Sequence, residues 1–168
     1  MTSAGTEPPR KSSTAPRDVS YRVTPDGLVV EVDGVELRPL AKAIKSKGGW
    51  GVEVTVEATS REPRFLTDPE NGPLAFAGKV VRKGEERPFG DEREGSNTRS
   101  LEPGAKEKFS RTYPGKGQQP IWWGETLELD VGLWGLGSET ERRPLKKFFK
   151  LKMVAGNDAK PVISPPIE

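Results

Sequence analysis

The chain has 168 residues, 32% of them hydrophobic and 31% charged, with 19 glycines and 16 prolines, which suits one domain with polar ends and long loops. Its 27 basic and 25 acidic residues leave a net charge of +2, so no global field argues for nucleic acid or a membrane surface. Cysteine and histidine are both absent, which excludes disulfides, Cys-ligated zinc, Ser-His-Asp and Cys-His catalysis and His-metal chemistry.

Residues 1–17 are rich in Pro, Ser, Thr and charge and are expected to be a disordered tail. They contain no apolar h-region, so they are not an intact signal peptide. The expected compartment is then cytoplasmic if Met1 is the native start. It is secreted or lipoprotein-anchored if the chain is a processed form. No run of 18 apolar residues exists to span a membrane. Pro25-Asp26-Gly27, between Tyr21-Arg22-Val23 and Leu28-Val29-Val30, signals a hairpin, and Asp33-Gly34 signals a second turn. In residues 39–46, Leu40, Ala43 and Ile44 recur at i, i+3 and i+4, which predicts one short helix ended by Gly48-Gly49. Residues 50–58 alternate cleanly, with Val52, Val54, Val56 and Ala58 on one face and Glu53, Thr55 and Glu57 on the other. They predict a strand buried on one side.

Residues 74–82 predict a second core strand. The polar stretch 84–104 is long for a bare loop and is read as holding edge strands near Arg87–Phe89 and Thr98–Leu101. Pro103-Gly104 turns the chain into residues 106–113, where Phe109 and Tyr113 face the core. Leu127, Leu129, Val131 and Leu133 alternate with Glu128, Asp130 and Gly132. In the last strand, Phe149, Leu151, Met153 and Ala155 share one face. Lys146, Phe148, Lys150 and Lys152 share the other. Residues 157–168, with three prolines in the last eight residues, are expected to be extended or disordered.

The expected fold is therefore all-β: an antiparallel β-sandwich of seven to nine short strands over residues 18–156, with at most one short helix. The strand 52–58, the Leu101-Glu102-Pro103-Gly104 step before Phe109 and the paired strands 126–134 and 146–155 resemble the immunoglobulin-like class of bacterial accessory domains. The resemblance covers residues 19–155 and is one of architecture.

The first candidate site is Trp122-Trp123. Neighbouring residues of a strand point to opposite faces, so in an extended segment one ring faces out. There it can stack on a sugar or anchor a protein partner. In the structural alternative, Pro120 and Gly124 bend the chain and both rings cap the end of the sandwich, with Trp134 over the same end and Trp50 capping a strand start. The second candidate is the basic run Arg142, Arg143, Lys146, Lys147, Lys150 and Lys152, with Phe148 interleaved. It offers phosphate contacts and a stacking ring, or else a solvated face whose lysines guard a sheet edge. Nucleic acid is the less favoured partner, given the balanced charge.

Weaker candidates are the acidic set Asp91, Glu92 and Glu94 near Asn97 for calcium and the carboxylates Glu125 and Glu128 for glycoside chemistry. Pro114-Gly115-Lys116-Gly117 lacks the phosphate-loop spacing and is read as a turn. Asn97-Thr98-Arg99 is not a glycosylation sequon. The reading that results is a non-catalytic binding or adaptor module with no cofactor and no metal. It serves as a component of a larger bacterial assembly or surface structure, with another protein as partner. A carbohydrate-binding module is the alternative.

Overall fold

The computed structural model describes residues 19–69, 72–90, 97–115 and 117–166. The N-terminal tail and the acidic set Asp91, Glu92 and Glu94 lie outside them. Twelve strands form among the described residues: β1 (Val19–Thr24), β2 (Gly27–Val32), β3 (Val35–Ser46), β4 (Gly49–Ser60), β5 (Arg64–Thr67), β6 (Leu74–Arg82), β7 (Glu85–Phe89), β8 (Thr98–Leu101), β9 (Lys106–Tyr113), β10 (Thr126–Gly137), β11 (Arg142–Val154) and β12 (Val162–Ser164). The number exceeds the seven to nine expected because short edge strands join the long core strands. No helix forms among the described residues.

The strands make two antiparallel sheets around one core. Sheet one runs β9-β4-β3-β2-β1. Sheet two runs β12-β11-β10, and beyond β10 it forks. The first half of β10 pairs with β6, which carries β7. Its far end pairs with β5, which carries β8. Four consecutive strands thus form a meander within sheet one, an order that differs from the sheets of immunoglobulin domains. Val54 and Val56 of sheet one and Leu129, Val131 and Phe149 of sheet two belong to one hydrophobic core, all essentially without exposed surface.

Local chemistry sets the hairpins. Asp33-Gly34, Lys47-Gly48 and Lys83-Gly84 each have both residues at positive φ, at 53° and 79°, 50° and 84°, and 50° and 85°. This is the type I′ geometry that matches the twist of paired strands. The sheets join where β4 bends into β5 and β8 bends into β9. At that corner the Gly104 amide donates to the Ser60 carbonyl at 2.9 Å. The β4–β9 and β5–β8 pairings therefore form one ribbon that crosses from one sheet to the other, a common way to turn a sheet corner.

Two expectations change. Residues 39–46 are strand, not helix: they continue β3, which pairs with β4 along its whole length from Val35↔Ser60 to Ser46↔Gly49. A two-turn helix is marginal by itself, and the ladder offers a hydrogen bond at every second residue. Pro39 is tolerated because the β2–β3 ladder stops at Leu37, so its missing amide faces no partner strand. Leu40, read as part of a helical apolar stripe, is 62% exposed.

Phe148, read as sharing the lysine face, is fully buried beside Phe149, their rings edge to face at 5.1 Å. Between the pairs Val131↔Phe149 and Leu133↔Leu145, β11 carries two extra residues. That bulge resets the alternation and turns both rings inward. The C-terminal segment, expected to be extended or disordered, is extended at residues 162–164: it reaches back as β12, pairing Val162–Ser164 with Lys152–Lys150, and Ile163 packs against the core.

Candidate functional site

After β9 the chain loops out and returns as Ile121, which bridges to Trp50 at the start of β4. The two residues exchange amide-to-carbonyl bonds of 2.8 and 2.9 Å. Ile121 is fully buried, so the chain is pinned just before the tryptophans. Trp122-Trp123-Gly124-Glu125 is then a β-turn. The Glu125 amide donates to the Trp122 carbonyl at 2.9 Å, and Gly124 has φ 87°. Positive φ at the third position only is the type II pattern that requires glycine there. The pair is therefore not extended, and the strand rule that would put one ring inside does not apply. Trp122 is 36% exposed and Trp123 is 68% exposed.

A buried charge holds this turn. The Glu125 side chain has no exposed surface, and its carboxylate accepts the Trp122 amide at 2.8 Å. It also accepts both terminal nitrogens of Arg87, on β7, at 3.1 and 3.2 Å. Burial pushes the Glu125 carboxyl up. The Trp122 amide, the Arg87 hydrogen bonds and charge, and the more distant Arg82 charge outweigh it and hold the group below the usual carboxylate range. On the far side, the Gly124 amide donates to the Ala155 carbonyl and the Ala155 amide to the Glu125 carbonyl, both at 2.9 Å. The turn is thus fused to β11 and clamped to β7.

Glycines admit the rings and the chain around them. A Cβ on Gly49 would meet the Ile121 carbonyl at 2.6 Å and the Trp122 ring at 3.1 Å. One on Gly156 would lie 3.6 Å from Trp123 Nε1. Trp122 thus rests on the β3–β4 hairpin, and Trp123 lies along the chain just after β11. Trp50, the bridge partner of Ile121, is half-buried, with Lys45 Nζ 4.1 Å from its ring centre. Lys47 Nζ donates to the Gln118 carbonyl at 3.2 Å.

The basic run is not brought together in the same way. Arg142 is spent on local structure: its Nε donates to Thr67 Oγ1 at 2.8 Å, and its Nη1 bonds the Glu139 carbonyl. Arg143 is half-buried. Lys150 lies opposite Asp130, and Lys152 opposite Glu128. Lys146 and Lys147 are exposed. Two acids of β10 thus sit directly across from two cations of β11, and the buried Phe148 offers no stacking face. Glu125 and Glu128 do not converge either. Glu125 is inside the Arg87 clamp, while Glu128 is half-exposed beside Lys79 at 4.0 Å. Among the described residues, no group of three or more acidic side chains is placed to hold a metal ion.

Sequence reading found the tryptophans but missed Arg87 and Glu125 as their support. The tetrapeptide Trp-Trp-Gly-Glu was the available signal, with glycine at the third place of a turn and a carboxylate to cap it. Arg87 lies 38 residues away, and nothing local announces it. Comparison with protein families, with curated proteins and with solved structures finds no match to this chain.

Proposed function

We propose that the chain is a non-catalytic binding module, a component of a larger protein assembly, which docks on another protein through Trp122 and Trp123. The observation that carries this reading is the fully buried Glu125, clamped by Arg87, beneath two exposed indoles. Burying a carboxylate is costly, and here the cost is met at the one turn that displays two tryptophans. Large aromatic side chains held in a fixed geometry are the usual anchors of protein interfaces, because little entropy is lost when they bind.

A protein partner is favoured over a sugar by the state of the turn's polar groups. The amides of Trp122, Gly124 and Glu125, the Trp122 carbonyl and the Glu125 carboxylate are all engaged internally. Sugar sites need polar groups placed to read hydroxyls beside the stacking ring. The exposed face of Trp123 supports carbohydrate binding as the second reading. A photo-cross-linking residue in place of Trp123, with the same residue in place of the exposed Leu40 as control, distinguishes the two. The expected result is a specific adduct from position 123 alone and no change of tryptophan fluorescence with soluble glycans. A saturable glycan-induced shift without an adduct would favour the carbohydrate reading and sink the first.

A further inference from the structure

We propose that β1 is a self-pairing edge through which two copies of the chain join their first sheets. In sheet one, β1 (Val19–Thr24) pairs only with β2 among the described residues, so its other side is an edge. Edge strands ordinarily carry a guard against strand addition, such as proline, lysine or short length. The other described edges have one. Pro88 lies within β7, Lys106 and Lys108 lie on β9, β8 has four residues, and β12 has three residues between Pro161 and Pro165. The six residues of β1, Val-Ser-Tyr-Arg-Val-Thr, contain neither proline nor lysine, and their one charge, Arg22, is paired with Glu36 of β3 at 3.3 Å.

Its pattern also suits a copy of itself. Val19, Tyr21 and Val23 lie opposite Val32, Val30 and Leu28 of β2 and so share the core-side face. Val19 and Tyr21 pack partly against the core, yet Val23 is 78% exposed. An antiparallel pairing about a two-fold axis through Tyr21 sets Tyr21 against its equivalent, Val23 against Val19, and Arg22 against Ser20. Core-side residues then meet core-side residues, and no like charges oppose each other. Centring the pairing on Arg22 instead would set arginine against arginine. This register pairs only residues 19–23 of each copy, and a five-residue ladder is small beside the about 1,200–2,000 Å² of standard stable interfaces, so the dimer expected is concentration-dependent.

Sedimentation velocity of the full chain over a wide concentration range tests this. The proposal expects a monomer–dimer equilibrium that Val23→Lys shifts to monomer with the melting temperature unchanged. Because Ser20 faces Arg22 of the second copy, Ser20→Glu should tighten the dimer and Ser20→Arg loosen it, each by several-fold. A chain that is monomeric at every concentration would overturn the proposal, and so would a dimer indifferent to all three substitutions. Dimerisation that appears only after removal of residues 1–18 would assign the edge to that segment and overturn it as well.

Discussion

Glu125 has no exposed side-chain surface, while Arg87 keeps 55% of its own, and that asymmetry ranks the two truncations. Arg87→Ala leaves a buried carboxylate without its cation and should cost about 3–5 kcal/mol. Glu125→Gln keeps an acceptor for the Trp122 amide and frees Arg87 to turn to water, so it should cost only about 1–2 kcal/mol. Denaturant unfolding at pH 7 checks the order, and equal losses would refute the buried clamp. The same pair predicts a pH dependence. The folded Glu125 carboxyl is held below its unfolded value, in spite of burial, by Trp122, Arg87 and Arg82. Stability from such a group is complete above the unfolded value of about 4.3 and is lost as the pH falls through the folded one. The stability gap between wild type and Arg87→Ala should therefore be widest near neutrality and shrink below about pH 4. A gap that widened in acid would reverse the assignment.

At the scale of strands, glycine decides what alternation alone does not. A Cβ on Gly132 would lie 2.2 Å from the Lys146 carbonyl and 2.3 Å from that of Leu145. This is where β11 carries its two extra residues. Gly132→Ala should therefore cost about 2–3 kcal/mol. The loss should appear as a lower denaturant midpoint, and an unchanged midpoint would mean that the bulge is not close-packed. The period-two pattern made β4 and the first half of β10 legible, since both bury one face throughout. It failed in β11, because Phe148 and Phe149 are both buried only through a register change that a single strand's pattern does not encode. It failed again at residues 39–46. There the helical spacing of Leu40, Ala43 and Ile44 is incidental, and the partner strand β4 decides the conformation.

For the whole molecule, the two antiparallel sheets were legible because turn residues and alternating strands recur through the middle of the chain. How the strands distribute between sheets was not, since it depends on the corner at Ser60 and Gly104 and on the fork at β10. The return of the C-terminus as β12 was also not fixed by its composition, because only the pairing with β11 shows how the segment between prolines is used. Ile163→Asp tests that closure. It should lower stability by about 1–2 kcal/mol, or roughly 2–8 °C in Tm, with a single cooperative transition retained. No change would mean that β12 does not contribute to the core. The central claim is that the chain folds to display a braced, exposed tryptophan turn, and the most direct test is the unfolding free energy of Trp123→Ala. With 68% of Trp123 exposed, the loss should stay within about 0.5 kcal/mol of zero. A loss of about 3 kcal/mol or more, as for a buried aromatic ring, would place Trp123 in the core and contradict the account.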